Sequence, residues 1–155
     1  MVMWLVTSVF VVLCVLAFLG KRWAYFTFIV LGILYFPASV GFHFHPRSCD
    51  CVLSWPLILF ALTKNGHIVR FAIFFLMTSV QLRGSSSRTQ YLVSWGAAMA
   101  MGIYVELAEG FTGSGNCRLR DLFPDAAGAM IGTVLWFAWS RLRASRRRAH
   151  STLSS

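Results

Sequence analysis

From Val2 to Gly20 the chain carries no charged residue, and the run stops abruptly at Lys21-Arg22. A bilayer core of about 30 Å takes roughly 20 apolar residues in a helix. This one stretch therefore places the chain among membrane proteins. It lacks a basic leading region and a small-x-small cleavage pattern, so it reads as a retained span rather than a signal peptide. A second stretch runs from Trp23 to about Phe42, with Trp23 and Tyr25 placed as interfacial aromatics. The polar insert His43 to Cys51 follows, and then Val52 to Leu62, apolar but interrupted by Pro56. At 1.5 Å per residue that segment reaches only roughly 16 Å, too short to cross. It is expected to be interfacial or re-entrant.

Thr63-Lys64-Asn65-Gly66 reads as a turn, and an apolar helix is expected from His67 to Leu82. A fourth span is expected over Tyr91 to Phe111, after the polar loop Arg83 to Arg88. Thr112 to Arg120 is a Gly-rich loop, and a fifth span begins at Asp121 or Asp125 and ends near Ser140. The expected fold is an all-α integral membrane bundle of about five transmembrane helices plus the short segment. Residues 1-63 form a two-helix N-terminal part, 64-140 a three-helix region, and 141-155 a basic tail.

Composition agrees with this class. Hydrophobic residues make up 57% and charged residues only 12%, against about 25% in soluble domains. The net charge of +9 invites a nucleic-acid reading, but its distribution speaks for topology. With five spans, one side holds Lys21, Arg22, Arg83, Arg88 and the arginines at 141, 143, 146, 147 and 148, with no acid. The other holds Arg47, Lys64, Arg70, Arg118 and Arg120 together with all five acidic residues. The positive-inside rule then puts the tail in the cytoplasm and the N-terminus outside. No nucleic-acid partner is expected, and membrane lipids are the natural surroundings.

Ionisable groups inside spans are costly and usually face a bundle interior or a wet cavity. Here they gather at one depth. His67 opens the third span, Glu106 and Glu109 share one face near the end of the fourth, and Asp121 and Asp125 open the fifth. A crowded carboxylic acid beside an imidazole is the raw material of general acid-base chemistry. The competing readings are an interhelical polar network that sets register, and acids placed to suit a helix N-terminus. A proton-coupled carrier would need polar groups along the whole crossing, and the inner halves of these spans show almost none.

Lys64-x-x-His67, Glu106-Leu107-Ala108-Glu109, and Arg118-x-x-Asp121-x-x-x-Asp125-x-x-Gly128-x-x-x-Gly132 occur in that order on three successive helices. In this the chain resembles the VanZ-like membrane protein family over roughly residues 64 to 136. It departs from that pattern at Glu109, where Gln is usual, and at Asp125, where Asn is usual. The resemblance implies His67, Glu106 and Asp121 as the family-type polar residues and a link to teicoplanin, that is glycopeptide, resistance at the bacterial cytoplasmic membrane. It implies no substrate. The outer placement of the charges suits an envelope lipid or glycan precursor, with Arg118 and Arg120 as anion ligands and Glu109 and Asp125 beside them. If the protein is an enzyme, Glu106 is the expected acid or base, His67 its partner and Asp121 the orienting carboxylate. The alternative is a non-catalytic membrane protein in which the same cluster is structural or part of a complex.

Gly128 and Gly132 form a small-residue pattern that fits either packing inside the bundle or homodimerisation. His43, His45, Cys49 and Cys51 have zinc-ligand side chains at a spacing that matches no standard site, so no metal is assigned. A disulfide from Cys117 to Cys49 or Cys51 fits an oxidising outer face better. Cys14 lies within the first span and is expected to be inert. There is no phosphate-binding loop, dinucleotide fingerprint or nucleophile elbow, and no cofactor is expected.

Overall fold

The computed structural model describes residues 2-152 of the 155-residue chain, with side chains described over 4-145. The side chains of the arginines at 146, 147 and 148 lie outside that set. Six helices follow in order: α1 (Val2–Phe18), α2 (Arg22–Ser39), α3 (Trp55–Ala61), α4 (Asn65–Gln81), α5 (Ser87–Thr112) and α6 (Leu122–Thr152), the last preceded by a 3-10 turn over Leu119–Asp121. The chain is all-α. Among the described residues two helices are long and apolar enough to cross a membrane, α5 and the span Leu119–Ser145 containing most of α6. A third is added if α3 and α4 count as one span bent by 67°.

Local chemistry explains the helix ends. Gly20 adopts φ +82°, a left-handed conformation that a residue with a Cβ adopts only at a cost. Its N–H bonds to the Ala17 carbonyl at 2.9 Å and the Lys21 N–H to Leu16 at 3.0 Å, the paired closure of a Schellman end. The chain therefore reverses within three residues into α2. Ser86 caps α5 by accepting the Thr89 N–H at 3.2 Å. One boundary departs from expectation: α6 does not stop near Ser140 but continues through Arg141 and Arg143. Arg and Ala favour helix, so the turn-by-turn hydrogen bonding outlasts the apolar stretch.

The closest helix pair is α4 with α6. Gly128 and Gly132 are both buried, and a Cβ on Gly128 would strike the Ile68 carbonyl oxygen, with Phe71 Cβ at 3.0 Å. A Cβ on Gly132 would lie 2.9 Å from Phe75. The small residues let two backbones touch, which is how helices gain dispersion contacts where lipid removes the hydrophobic driving force. Of the two expectations for this pattern, packing inside the bundle is the one seen: both glycines face α4 of the same chain. Around that seam Phe71, Phe74, Phe75, Met77, Ala129 and Trp136 form the core.

At the end of the bundle near the 83-88 loop, neutral polar side chains are locked together. Ser79 and Ser94 hydroxyls meet at 2.9 Å, Gln90 donates to the Ser79 carbonyl at 3.0 Å, and the Trp136 indole donates to Gln90 at 3.1 Å. The opposite end holds the buried charges, Glu106, Asp121 and Asp125.

Candidate functional site

Three elements converge at that opposite end: the start of α4, the end of α5, and the 3-10 turn with the start of α6. Lys64, immediately before α4, is ion-paired with Asp121 of the 3-10 turn. His67, one turn further on, bonds through Nδ1 to Asp125 Oδ1 at 2.9 Å. Asp125 is fully buried and Asp121 nearly so, at 0% and 5% exposure. Buried carboxylates persist only when compensated, and each of these has one cationic or imidazole partner from α4. The i, i+3 spacing of Lys64 and His67 matches the i, i+4 spacing of Asp121 and Asp125 across the helix pair.

Compensation is incomplete. Asp121 Oδ1 and Asp125 Oδ2 are buried and make no hydrogen bond among the described residues. A Cβ on Gly102 would lie 2.8 Å from Asp125 Oδ2, so α5 closes over that oxygen because a glycine stands there. Glu106, also buried, accepts the backbone N–H of Arg118 at 2.7 Å and lies within electrostatic reach of Asp121, Glu109 and Asp125. Among the described residues no group of three or more His, Cys, Asp and Glu has a geometry that holds a metal ion.

A covalent brace holds the turn in place. Cys49 and Cys117 form a disulfide with Cα atoms 4.7 Å apart. Beside it, Asp50 and Arg118 pair as an isolated bridge, through Asp50 N to Cys117 O at 2.9 Å and Leu119 N to Asp50 O at 3.0 Å. The polar insert therefore lies as a strap over the 3-10 turn, and Cys51 is left as an exposed free thiol. Asp50 accepts the Val52 N–H and pairs with Arg120 at 2.7 Å. The Val52 N–H first, and the Arg120 guanidinium after it, hold the Asp50 carboxyl below the ordinary carboxylate range.

Next to the cluster a cavity of about 1050 Å³ opens between α1, α2, α4 and α5. Its walls are apolar, among them Phe10, Phe28, Phe71 and Met77, while His67, Arg70 and Glu109 stand at one end. Of the residues expected in the site, His67 and Glu109 line this cavity. Glu106, Asp121 and Asp125 are packed behind them around the α4–α6 seam.

Several expectations change on this geometry. The carboxylate orienting His67 is Asp125, not Asp121, and Asp121 belongs to Lys64. No hydrogen bond joins Glu106 to His67 among the described residues; the Glu106 partner is the Arg118 backbone. Neither Arg118 nor Arg120 lines the cavity, and Arg120 is engaged by Asp50. Cys49 is taken by the disulfide, which removes it from any His/Cys metal set. Arg70 and Lys64 were missed as site residues; their spacing of three from His67 on the same helix face was the available signal.

Fold and site together define an all-α protein with helices of membrane-crossing length and ionisable groups gathered at one end, beside an apolar cavity. No family model matches the chain, and no curated protein or solved structure is significantly similar to it.

Proposed function

We propose that the chain is a five-span integral membrane protein of VanZ-like character, with its N-terminus outside and its C-terminus in the cytoplasm. Its outward-facing His/Glu/Asp cleft binds or acts on a cell-envelope lipid or glycan precursor, in connection with glycopeptide resistance. The observation that carries the reading is the position of His67. Its Nδ1 is held by a buried carboxylate, which leaves Nε2 as the ring nitrogen available to a ligand at the edge of the cavity. A fixed imidazole beside a ligand-sized space is the arrangement used for proton transfer and for recognition of an anionic headgroup. α1 and α2, at 17 and 18 residues, reach about 26 Å each, close to the core thickness of about 30 Å. That supports counting them as spans beside α4, α5 and α6.

A second reading has its own support: the Lys64–Asp121 and His67–Asp125 pairs close two helices on each other, as a purely structural clasp would. Teicoplanin susceptibility of cells expressing His67→Ala and Glu106→Gln separates the two, with thermal unfolding in detergent as the control. Loss of a protective phenotype with unchanged unfolding supports the cleft. Lowered stability with the phenotype retained supports the clasp.

A further inference from the structure

Two oppositely charged side chains line the cavity, and Arg70 meets the Asp125 carboxylate only through its field, with no direct contact among the described residues. Arg70, on α4, and Glu109, on α5, both line it, and among the described residues neither side chain makes an ion pair or a hydrogen bond. Arg70 is exposed and Glu109 half-buried. A Cβ on Gly66 would lie 3.4 Å from the Arg70 guanidinium, which is folded back along the first turn of α4. The Glu109 carboxyl carbon lies 2.6 Å from where a Gly115 Cβ would be, so the Gly-rich loop presses directly on the carboxylate. A positive and a negative group lining one mouth, and not joined to each other, are complementary to a ligand carrying both charges.

The walls specify the rest of that ligand. From His67 to Met77, both lining the cavity, α4 rises about 15 Å, or half of a 30 Å hydrocarbon core. The apolar space thus has the depth of one leaflet, with the charged pair at its headgroup end. We propose that the cavity binds a zwitterionic aminophospholipid of the phosphatidylethanolamine type. Its phosphate faces Arg70, its ammonium donates to Glu109, and an acyl chain lies along Phe71 and Met77. This deepens the lipid reading of the same cleft and rests on it.

The test uses the purified full chain in detergent and three probes of equal tail length: dioctanoyl phosphatidylethanolamine, phosphatidylcholine and phosphatidylglycerol. Binding is followed by intrinsic tryptophan fluorescence, with soluble phosphoethanolamine as a fourth ligand. Phosphatidylethanolamine is expected to bind about tenfold tighter than either other lipid, the worth of one charge-assisted hydrogen bond. Glu109→Gln removes that preference, and Arg70→Gln weakens all three lipids by a similar factor while Arg70→Lys restores part of it. Thermal unfolding of each variant confirms that it is folded. Equal binding of all three lipids, or a preference that survives Glu109→Gln, overturns the zwitterion assignment and leaves the lipid cleft standing. Phosphoethanolamine binding as tightly as the lipid overturns the role of the acyl chain. Binding of no lipid at all overturns both this inference and the cleft reading.

Discussion

The two ends of the helix bundle solve the problem of buried polarity differently. Near the 83-88 loop the buried groups are neutral: Ser79, Ser94, Gln90 and Trp136 satisfy one another within 3.1 Å, and the uncharged Gln81 Oε1 is the buried acceptor left over there among the described residues. Around Asp121 and Asp125 the groups are charged, each carboxylate is paired on one oxygen only, and a large cavity adjoins them. A satisfied neutral network fixes helix register and needs nothing further. A charged cluster with unsatisfied oxygens costs stability, and retaining it fits a site that meets a ligand.

That contrast can be broken by matched substitutions. The largest effect is expected at the charged end: Lys64→Met leaves Asp121 buried and unpaired, which costs roughly 3–5 kcal/mol in thermal or denaturant unfolding. Adding Asp121→Asn to Lys64→Met should recover most of the loss; no recovery would show that the two side chains do not act as a pair. Removing the brace with Cys49→Ser and Cys117→Ser comes next. With the cysteines 68 positions apart, about 2–4 kcal/mol is expected, and reducing agent should produce the same shift in the wild type. At the neutral end, Ser79→Ala should cost about 1–3 kcal/mol by stranding the Ser94 hydroxyl, and Ser79→Ala with Ser94→Ala should be nearly neutral. A double variant as damaged as the single one would erase the distinction between the ends.

The smallest effect concerns pH at the strap. Because the folded Asp50 carboxyl is held low, the strap's contribution is fully present above the unfolded carboxylate value near 3.9. It is lost only as pH falls through the lower folded value. As pH falls from 7 to about 3.9, where a free carboxyl is half protonated, the carboxyl carbon signal of Asp50 in a side-chain NMR titration should cover less than half of its full shift. Half or more of the shift by that pH would mean that the Val52 and Arg120 contacts do not form in solution.

Much of the architecture was legible in the sequence because hydropathy reports where a chain can meet lipid. The short segment around Pro56 and the five longer helices follow from runs of apolar residues and their interruptions, while α4 begins at Asn65, two residues before the expected start at His67, and takes in half of the expected turn at 63-66. Helix ends were less legible where polar residues are good helix formers, as at Arg141 and Arg143. Site composition was legible too, since His67, Glu106, Asp121 and Asp125 stand out against apolar neighbours. Pairing was not. Asp121 lies in the 3-10 turn rather than on α6, which hands it to Lys64 and leaves His67 to Asp125. Arg120 is captured by Asp50 because the disulfide brings residue 50 alongside residue 118, a long-range fact that local spacing does not contain.

The unbroken course of α6 bears on how deep the molecule sits. Its 31 residues extend about 46 Å, some 15 Å more than the core it would cross. The surplus is a stiff rod. Near its emergence Arg141 stacks on Phe137 and Arg143 on Trp139, with guanidinium carbons 4.7 and 4.9 Å from the ring centres. Trp139, of a type that prefers the headgroup zone, and Phe137 beside it, each crowned by a cation that resists going below that zone, mark a waterline on the helix. In the five-span arrangement proposed above, with Gly128 and Gly132 wedding α6 to α4, that line sets the draught of the whole bundle, and so the height at which His67 meets the opposite surface.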